Sequence, residues 1–286
     1  MKATFTLFIA LTIFSQSFAQ NPDKVLARVN YTYFDKTDTL SNGKPRSENM
    51  LLFVGKNASL YTSYDKIRHE ISEEQKFRAK IANRVGNGQP TAFIIDDTDS
   101  KWMTTTTYLY FVKEDKFFIK EFIALQSYLL EDDAAEIKWK ISKDTLTFSG
   151  IPCQKATANY EGKNWTAWFA PTIPFQSGPW KLHSLPGLII EAYDENKQLY
   201  FQFAGLEDAK PGDHVRDHDI TKRPDADPNT FNAIDQLIGR DVGNAYFENI
   251  IRLPIGAIKI TKQQLVKFKD AFKKDPKGFV KAQSGH

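Results

Sequence analysis

Several residue types and patterns are scarce in this chain of 286 residues. It contains a single Cys, so no internal disulfide can hold it together. Its 38 Lys and Arg against 35 Asp and Glu give a net charge of +3, too weak over this length to indicate a nucleic-acid partner. With 15 Gly and 13 Pro, the chain is neither collagen-like nor of low complexity. These shortages leave an ordinary globular protein whose composition does not indicate a reaction.

The apolar run at residues 5–14 is too short for a membrane anchor, because a spanning helix needs about 20 apolar residues. It follows Lys2 and precedes small residues that end at Ala19, the arrangement of a cleavable secretory signal peptide. We therefore predict a signal peptide at residues 1–19 and a single β-rich domain at residues 20–286. No Cys follows the cleavage region to accept a lipid, so we expect a periplasmic or secreted protein without a transmembrane segment after cleavage.

Common catalytic signatures are also lacking. The chain contains no Gly-x-Ser-x-Gly elbow, no phosphate-binding Walker loop and no Gly-x-Gly-x-x-Gly fingerprint. His183 and Ser184 are adjacent, and neighbours on a strand point to opposite faces, which is the wrong geometry for a base and its nucleophile. Cys153 lies among apolar residues in a predicted strand, so we expect a buried thiol. The sequence thus favours a protein that is not an enzyme.

Aromatic residues, by contrast, are abundant: 5 Trp, 11 Tyr and 22 Phe make up 13% of the chain and favour strands. Short alternating or β-branched segments separated by turn residues predict an antiparallel sheet. The predicted strands are 25–34, 50–54, 59–64, 91–96, 104–113, 115–123, 136–142, 144–149, 153–160 and 188–193. We expect a mainly β fold, an antiparallel curved sheet that forms a sandwich or a half-barrel.

Two segments have helical rather than strand spacing. Apolar residues recur at helical intervals over 65–84, which predicts a surface helix. Residues 262–274 predict an amphipathic C-terminal helix with Thr261 as its N-cap and Pro276 after its end. The acidic, proline-containing stretch at 205–230 predicts a long loop or insertion.

The segment 163–203 contains the most informative motif. Alternation places Trp165 and Phe169 on one face of a strand and Trp168 on the other. Prolines and glycines then interrupt any regular ladder before a new strand begins at Leu188. Such a connection either fixes a corner of a sheet or lines a pocket. The candidate ligand-binding or structural residues are Trp165, Trp168, Phe169, Trp180, Pro186, Gly187 and Tyr193.

This segment resembles the GLPGLI family, exported proteins of Gram-negative bacteria that mostly lack an assigned function. Here the hexapeptide reads Ser184-Leu185-Pro186-Gly187-Leu188-Ile189 and departs from the family at its first letter. The surrounding segments 153–156, 166–169 and 178–181 fit the same family in order, as do the signal peptide and the final helix. The resemblance implies export and indicates no activity. By a looser analogy, the aromatic strand followed by Pro is similar to periplasmic half-barrels, such as outer-membrane lipoprotein carriers, whose curved sheet encloses an apolar pocket.

These observations favour a binding or accessory factor of the cell envelope, without a cofactor, whose partner is a small apolar ligand or an envelope protein. A metal-dependent protein is the alternative. On one helical turn, His214 and His218 would face the same side and could hold Zn or Cu, with Asp217 as a carboxylate ligand. The flanking prolines favour a solvated loop instead.

Overall fold

The computed structural model describes residues 22–39, 44–69, 72, 104–124, 126–209, 245–246, 249–254 and 256–284. Their strands are β1 (Asp23–Lys24), β2 (Ala27–Thr39), β3 (Pro45–Val54), β4 (Ala58–Ser63), β5 (Thr107–Phe111), β6 (Lys116–Ile123), β7 (Gln126–Asp133), β8 (Lys140–Phe148), β9 (Ile151–Tyr160), β10 (Lys163–Ala170), β11 (Leu188–Asp194), β12 (Leu199–Asp208), β13 (Ile250–Ile251) and β14 (Ile258–Lys259). Residues 64–69 are helical, and two helices follow β14: α1 (Lys262–Lys274) and α2 (Pro276–Ser284). The expectation of a mainly β fold with a C-terminal helix is confirmed.

Twelve of these strands form one open sheet in the order β14-β7-β6-β5-β4-β3-β2-β12-β11-β10-β9-β8. It consists of two meanders, β2 to β7 and β8 to β12, which are joined where β2 pairs antiparallel with β12 from Ala27↔Asp208 to Asp35↔Leu199. Only the short edge strand β14 pairs in parallel, with β7. The seam between β2 and β12 makes the two meanders parts of a single sheet.

Tight turns fix the register of the second meander. The β8–β9 turn has positive φ at Ser149 (48°) and Gly150 (84°), and the β9–β10 turn has it at Glu161 (50°) and Gly162 (73°). Two successive residues with positive φ form the hairpin turn whose twist matches that of the strands it joins. These turns therefore set adjacent strands in antiparallel register.

Both faces of the sheet are covered by apolar residues in the first meander. One face contributes Leu52 and Tyr31 to the larger core, together with buried residues of β9 to β12. The opposite face packs Leu51 and Phe53 against elements that include Ile251 of β13. A third cluster forms where α1 and α2 lie on β6 and β7. None of the helices in the described ranges is both long and apolar enough to cross a bilayer.

The observed elements correct several sequence predictions. Strand β7 was not predicted, although Tyr128, Leu129 and Leu130 are buried in it. The predicted segments 136–142 and 144–149 meet in one strand, β8, which begins only at Lys140, so residues 136–139 are not strand; its register is irregular between Ile141 and Thr145. Strand β12 continues to Asp208, so the first residues of the predicted loop at 205–230 are sheet, where they pair with β2. The rest of that loop and the predicted strand at 91–96 lie outside the described residues, as does most of the predicted helix at 65–84.

The C-terminal helix forms as predicted, and its cap explains why it begins where it does. Thr261 accepts from the backbone N–H of Gln264, while the Gln264 side chain accepts from the backbone N–H of Thr261. Pro276 does not only follow this helix: it also begins α2, since a first helical residue needs no hydrogen-bonded N–H.

Candidate functional site

The curvature of the sheet brings together aromatic side chains from distant strands on its concave face. Tyr61 of β4 and Phe201 of β12 lie three strand spacings apart in the sheet order, about 14 Å if the sheet were flat. Their ring centroids are nevertheless only 6.1 Å apart. Phe201 also stacks on Tyr33 at 5.0 Å and on Trp165 at 6.0 Å. The sheet is therefore strongly curved here, and both meanders contribute to one aromatic wall.

The connection at 171–187 lies over this wall. Trp180 packs against Trp165 at 5.7 Å and Tyr160 at 5.9 Å between ring centroids. Leu182 and Leu185 of the same connection are buried. The cavity beneath them, which includes Ser59 and Tyr61 in its lining, has no space for a water molecule. The deep part of the concave face is thus filled by protein atoms.

A charged cluster borders the aromatic wall on β3. The Glu48 carboxylate is 2% exposed and accepts hydrogen bonds from the Thr104 N–H at 2.6 Å and the Thr104 hydroxyl at 2.7 Å. Arg46 donates to the same carboxylate at 2.8 Å and also lies 3.4 Å from Asp38. Register pairs Glu48 with Tyr33, so the cluster and the aromatic wall are contiguous. An ion pair of this kind contributes both an acceptor and donors to the site.

Two buried donors of this region have no hydrogen-bond partner among the described residues. They are the Tyr61 hydroxyl and Nε of Arg46. Burial raises the pKa of Tyr61 well above its usual value, and the nearby tyrosines and Glu48 raise it further. Burial also raises the pKa of Tyr108 to about 12. These hydroxyls therefore stay protonated at neutral pH and can donate to an acceptor oxygen.

The residues predicted from the motif differ in how deeply they are buried. Trp165 and Phe169 are 1% exposed and belong to the core, which Trp180 contacts from the connection. Trp168 and Tyr193 are half-buried. Trp168 packs against the border of the same core and meets Phe148 at 6.1 Å, and Tyr193 meets Tyr200 at 5.7 Å between ring centroids. The motif thus supplies Trp165 and Trp180 to the concave wall, whereas Trp168 and Tyr193 make separate aromatic pairs.

The Leu-Pro-Gly turn closes the connection. Pro186 is exposed, whereas Gly187 is buried with a φ of 156°. A Cβ at Gly187 would lie 2.2 Å from the Ala170 carbonyl oxygen, so only glycine fits against the end of β10.

Two further predictions concern reactive side chains. Cys153 is buried as predicted, and burial raises the pKa of its thiol to about 11, with Glu191 adding to the effect. His183 is buried and Ser184 is exposed, so they do not form a nucleophile and base pair. The proposed metal ligands His214, Asp217 and His218 lie outside the described residues, and this site stays a prediction.

Sequence reasoning missed most of the concave site, namely Tyr33, Arg46, Glu48, Tyr61, Tyr108 and Phe201. One signal was available: Glu48 shares a strand face with Met50 and Leu52, and an acid on an otherwise apolar face needs a buried partner. The convergence of Tyr61 and Phe201 could not be found in this way, because it depends on the curvature of the whole sheet.

Comparisons with known proteins give little further information. No family model matches the chain, and no curated protein does. Among solved structures it is similar to PNGF-II in two crystal forms, each at 12% identity and a TM-score of 0.44. The matches cover 65% and 74% of this chain but only 29% and 32% of those chains, so this chain spans about a third of their length.

Proposed function

We propose that this chain is an exported binding protein of the bacterial envelope that takes a small, largely apolar ligand with an acceptor oxygen on its concave face. The signal-peptide pattern and the resemblance of segment 163–203 to the GLPGLI family support export. The observation that carries the binding role is the Tyr61 hydroxyl, which is buried in an aromatic wall without a partner among the described residues.

The energetics of that hydroxyl favour a ligand. A buried donor left unsatisfied costs about 1–3 kcal/mol, and a protein gains by replacing such a Tyr with Phe unless the donor has a use. An acceptor oxygen beside the Tyr61 hydroxyl would satisfy this donor. The rings of Tyr33, Tyr108 and Phe201 would contact the apolar part of the same molecule, as is usual in small-molecule sites.

In this proposal the ligand lies toward Tyr33 and Tyr108 rather than in the depth of the curve. Both tyrosines are half-buried, whereas the space beneath Trp180 does not admit water. The tryptophans of the motif would then act as the rigid floor of the site. No catalytic step is assigned to it, and sustained turnover of peptide, ester or glycan substrates by the purified protein would contradict the proposal.

Binding of 8-anilinonaphthalene-1-sulfonate, an aromatic probe with acceptor oxygens, tests the site. We expect Tyr61→Phe to weaken the affinity by about three- to tenfold, the value of one hydrogen bond. The same variant should be as stable as the native protein or more stable, because it removes an unsatisfied hydroxyl. Tyr193→Phe, away from the concave wall, is the matched control and should leave the affinity unchanged. Unchanged affinity in Tyr61→Phe, or a loss of stability, would overturn the assignment.

A further inference from the structure

Positive charge is concentrated in the last part of the chain. Residues 258–284, here called the basic unit, comprise β14, α1 and α2 and contain eight lysines, two aspartates and no arginine. The basic unit therefore has a net charge of +6, while the whole chain has +3, so the rest of the chain carries −3. The small overall charge hides a strong asymmetry, of the kind that indicates an anionic partner.

The fold leaves most of this charge unneutralised. Lys269 pairs with the buried carboxylate of Glu121. The neighbouring acids of β7 are paired elsewhere: Glu131 with Lys116, and Asp132 with Lys181 at 2.8 Å. The remaining lysines of the basic unit are exposed and form no ion pair within the described ranges. They are Lys259, Lys262, Lys267, Lys273, Lys274, Lys277 and Lys281.

The apolar face of α1 is already occupied by the protein. Leu265 is 7% exposed, and Phe268 packs on Tyr128 at 5.4 Å and on Phe279 of α2 at 5.7 Å between ring centroids. This packing and the Lys269 pair hold the helices on the sheet. The exposed lysines are thus presented on a fixed support and not on a free tail.

Two aliphatic side chains project from the same basic unit. Val266 is 53% exposed and Ile258 is 49% exposed. On α1, Lys262 lies four residues before Val266 and Lys273 seven residues after it, so all three lie on one face of the helix, together with Asp270. A surface with cationic groups around a projecting aliphatic tip matches the boundary between lipid head groups and acyl chains.

We propose that the basic unit is a docking surface for anionic phospholipid membranes. Lysines near such a surface each add a favourable electrostatic contribution, and their flexible stems allow the aliphatic tips to reach the interface. Nucleic acid or an acidic protein would leave Val266 and Ile258 without an apolar contact. Such partners also favour the bidentate geometry of arginine, which the basic unit lacks. This proposal does not depend on the concave site.

The membrane-docking proposal is tested by cosedimentation of the mature chain with phosphatidylcholine vesicles, with and without phosphatidylglycerol. We expect binding only to vesicles that contain phosphatidylglycerol, and loss of binding at high salt. Since each lysine is worth about a fivefold change in affinity, Lys262→Gln with Lys273→Gln should weaken binding on the order of 25-fold. Val266→Ser should weaken it by about threefold, as expected for partial burial of a methyl group.

Lys36→Gln with Lys143→Gln provides the matched control, because it removes the same charge from exposed positions on β2 and β8, strands that do not neighbour β14. It should change vesicle affinity by less than about threefold, in line with charge screening over distance. Equal losses in both double variants would overturn the proposal, as would binding to soluble polyglutamate that is as tight as binding to vesicles. Tyr61→Phe should leave vesicle binding intact, which separates this test from that of the concave site.

Discussion

His183 is a buried titratable group at the centre of the connection between β10 and β11. It is 2% exposed and makes edge contacts with the stacked rings of Tyr110 and Phe117, at 4.8 and 5.4 Å between ring centroids. Its Nδ1 lies 2.9 Å from the Lys181 carbonyl oxygen and therefore donates to it. Burial lowers the pKa of His183, although the Lys181 carbonyl and the Asp115 carboxylate oppose this shift. The folded state thus favours the neutral imidazole.

This pKa shift makes stability depend on pH in a defined direction. As pH falls below about 6.5, the unfolded chain takes up a proton that the folded chain resists, so the free energy of unfolding decreases. We expect urea unfolding to show this loss between about pH 7 and 5, and His183→Gln to flatten it. His69→Gln, on the half-buried helical segment, is the control. Asp35 does not contribute to the loss of stability in this pH range, because its pKa lies below the usual 3.8. Burial raises this pKa, but hydrogen bonds from Thr37 and Tyr33 lower it more. An unaltered pH profile in His183→Gln would contradict the interpretation.

Among the elements, the connection at 171–187 is irregular in backbone but firmly held. The N–H of Leu188 donates to the Ile173 carbonyl at 3.0 Å, and the Trp139 indole donates to the His183 carbonyl at 2.8 Å. Lys181 pairs with Asp132 on β7 at 2.8 Å. These bonds link the connection to both meanders. It therefore acts as a structural clamp whose underside is also the floor of the proposed site.

Gly187→Ala tests whether the clamp is needed for stability. The new Cβ would lie 2.2 Å from the Ala170 carbonyl oxygen, and a φ of 156° is strained for alanine. We expect a loss of about 3 kcal/mol or more in the free energy of unfolding, measured by chemical denaturation. The adjacent exposed Pro186→Ala should cost about 1 kcal/mol or less. Similar effects in the two variants would show that the clamp tolerates a side chain and that its geometry is not set by Gly187.

The elements show how far local sequence patterns determine this fold. Helix α1 could be predicted to the residue because its cap, apolar spacing and end signals are local and agree with one another. The alternation in β10 separated Trp165 from Trp168 but did not predict that Trp165 is the buried one. Strand β7 was not predicted because its apolar residues face two different clusters. Polar and apolar residues therefore do not alternate along it. The concave site was not predictable, since Tyr61 and Phe201 are 140 positions apart and meet only through curvature.

At the scale of the whole molecule, the two meanders depend on each other. Their long seam is the pairing of β2 with β12, and the larger core cluster contains Leu52 of β3 together with Trp165 of β10. Tyr31 of β2 also donates to the Ile189 carbonyl of β11 at 2.6 Å. Neither meander can therefore lose its packing without exposing apolar surface of the other. The described sheet should unfold as one cooperative unit.

Leu52→Ala tests this coupling across the seam. Leu52 is 1% exposed in the first meander, so its truncation should lower the free energy of unfolding by about 2–5 kcal/mol. Apart from Trp102, which lies outside the described residues, the tryptophans are in or next to the second meander, at positions 139, 165, 168 and 180. Their fluorescence should nevertheless report the lower midpoint, coincident with far-ultraviolet circular dichroism. Ile141 is exposed on edge strand β8, so Ile141→Ala should lower the free energy of unfolding by no more than about 0.5 kcal/mol. A fluorescence transition in Leu52→Ala that stayed at the midpoint of the native protein would contradict this coupling. It would mean that the second meander is stable by itself, because only an independent unit could keep its tryptophans packed after the first meander had unfolded.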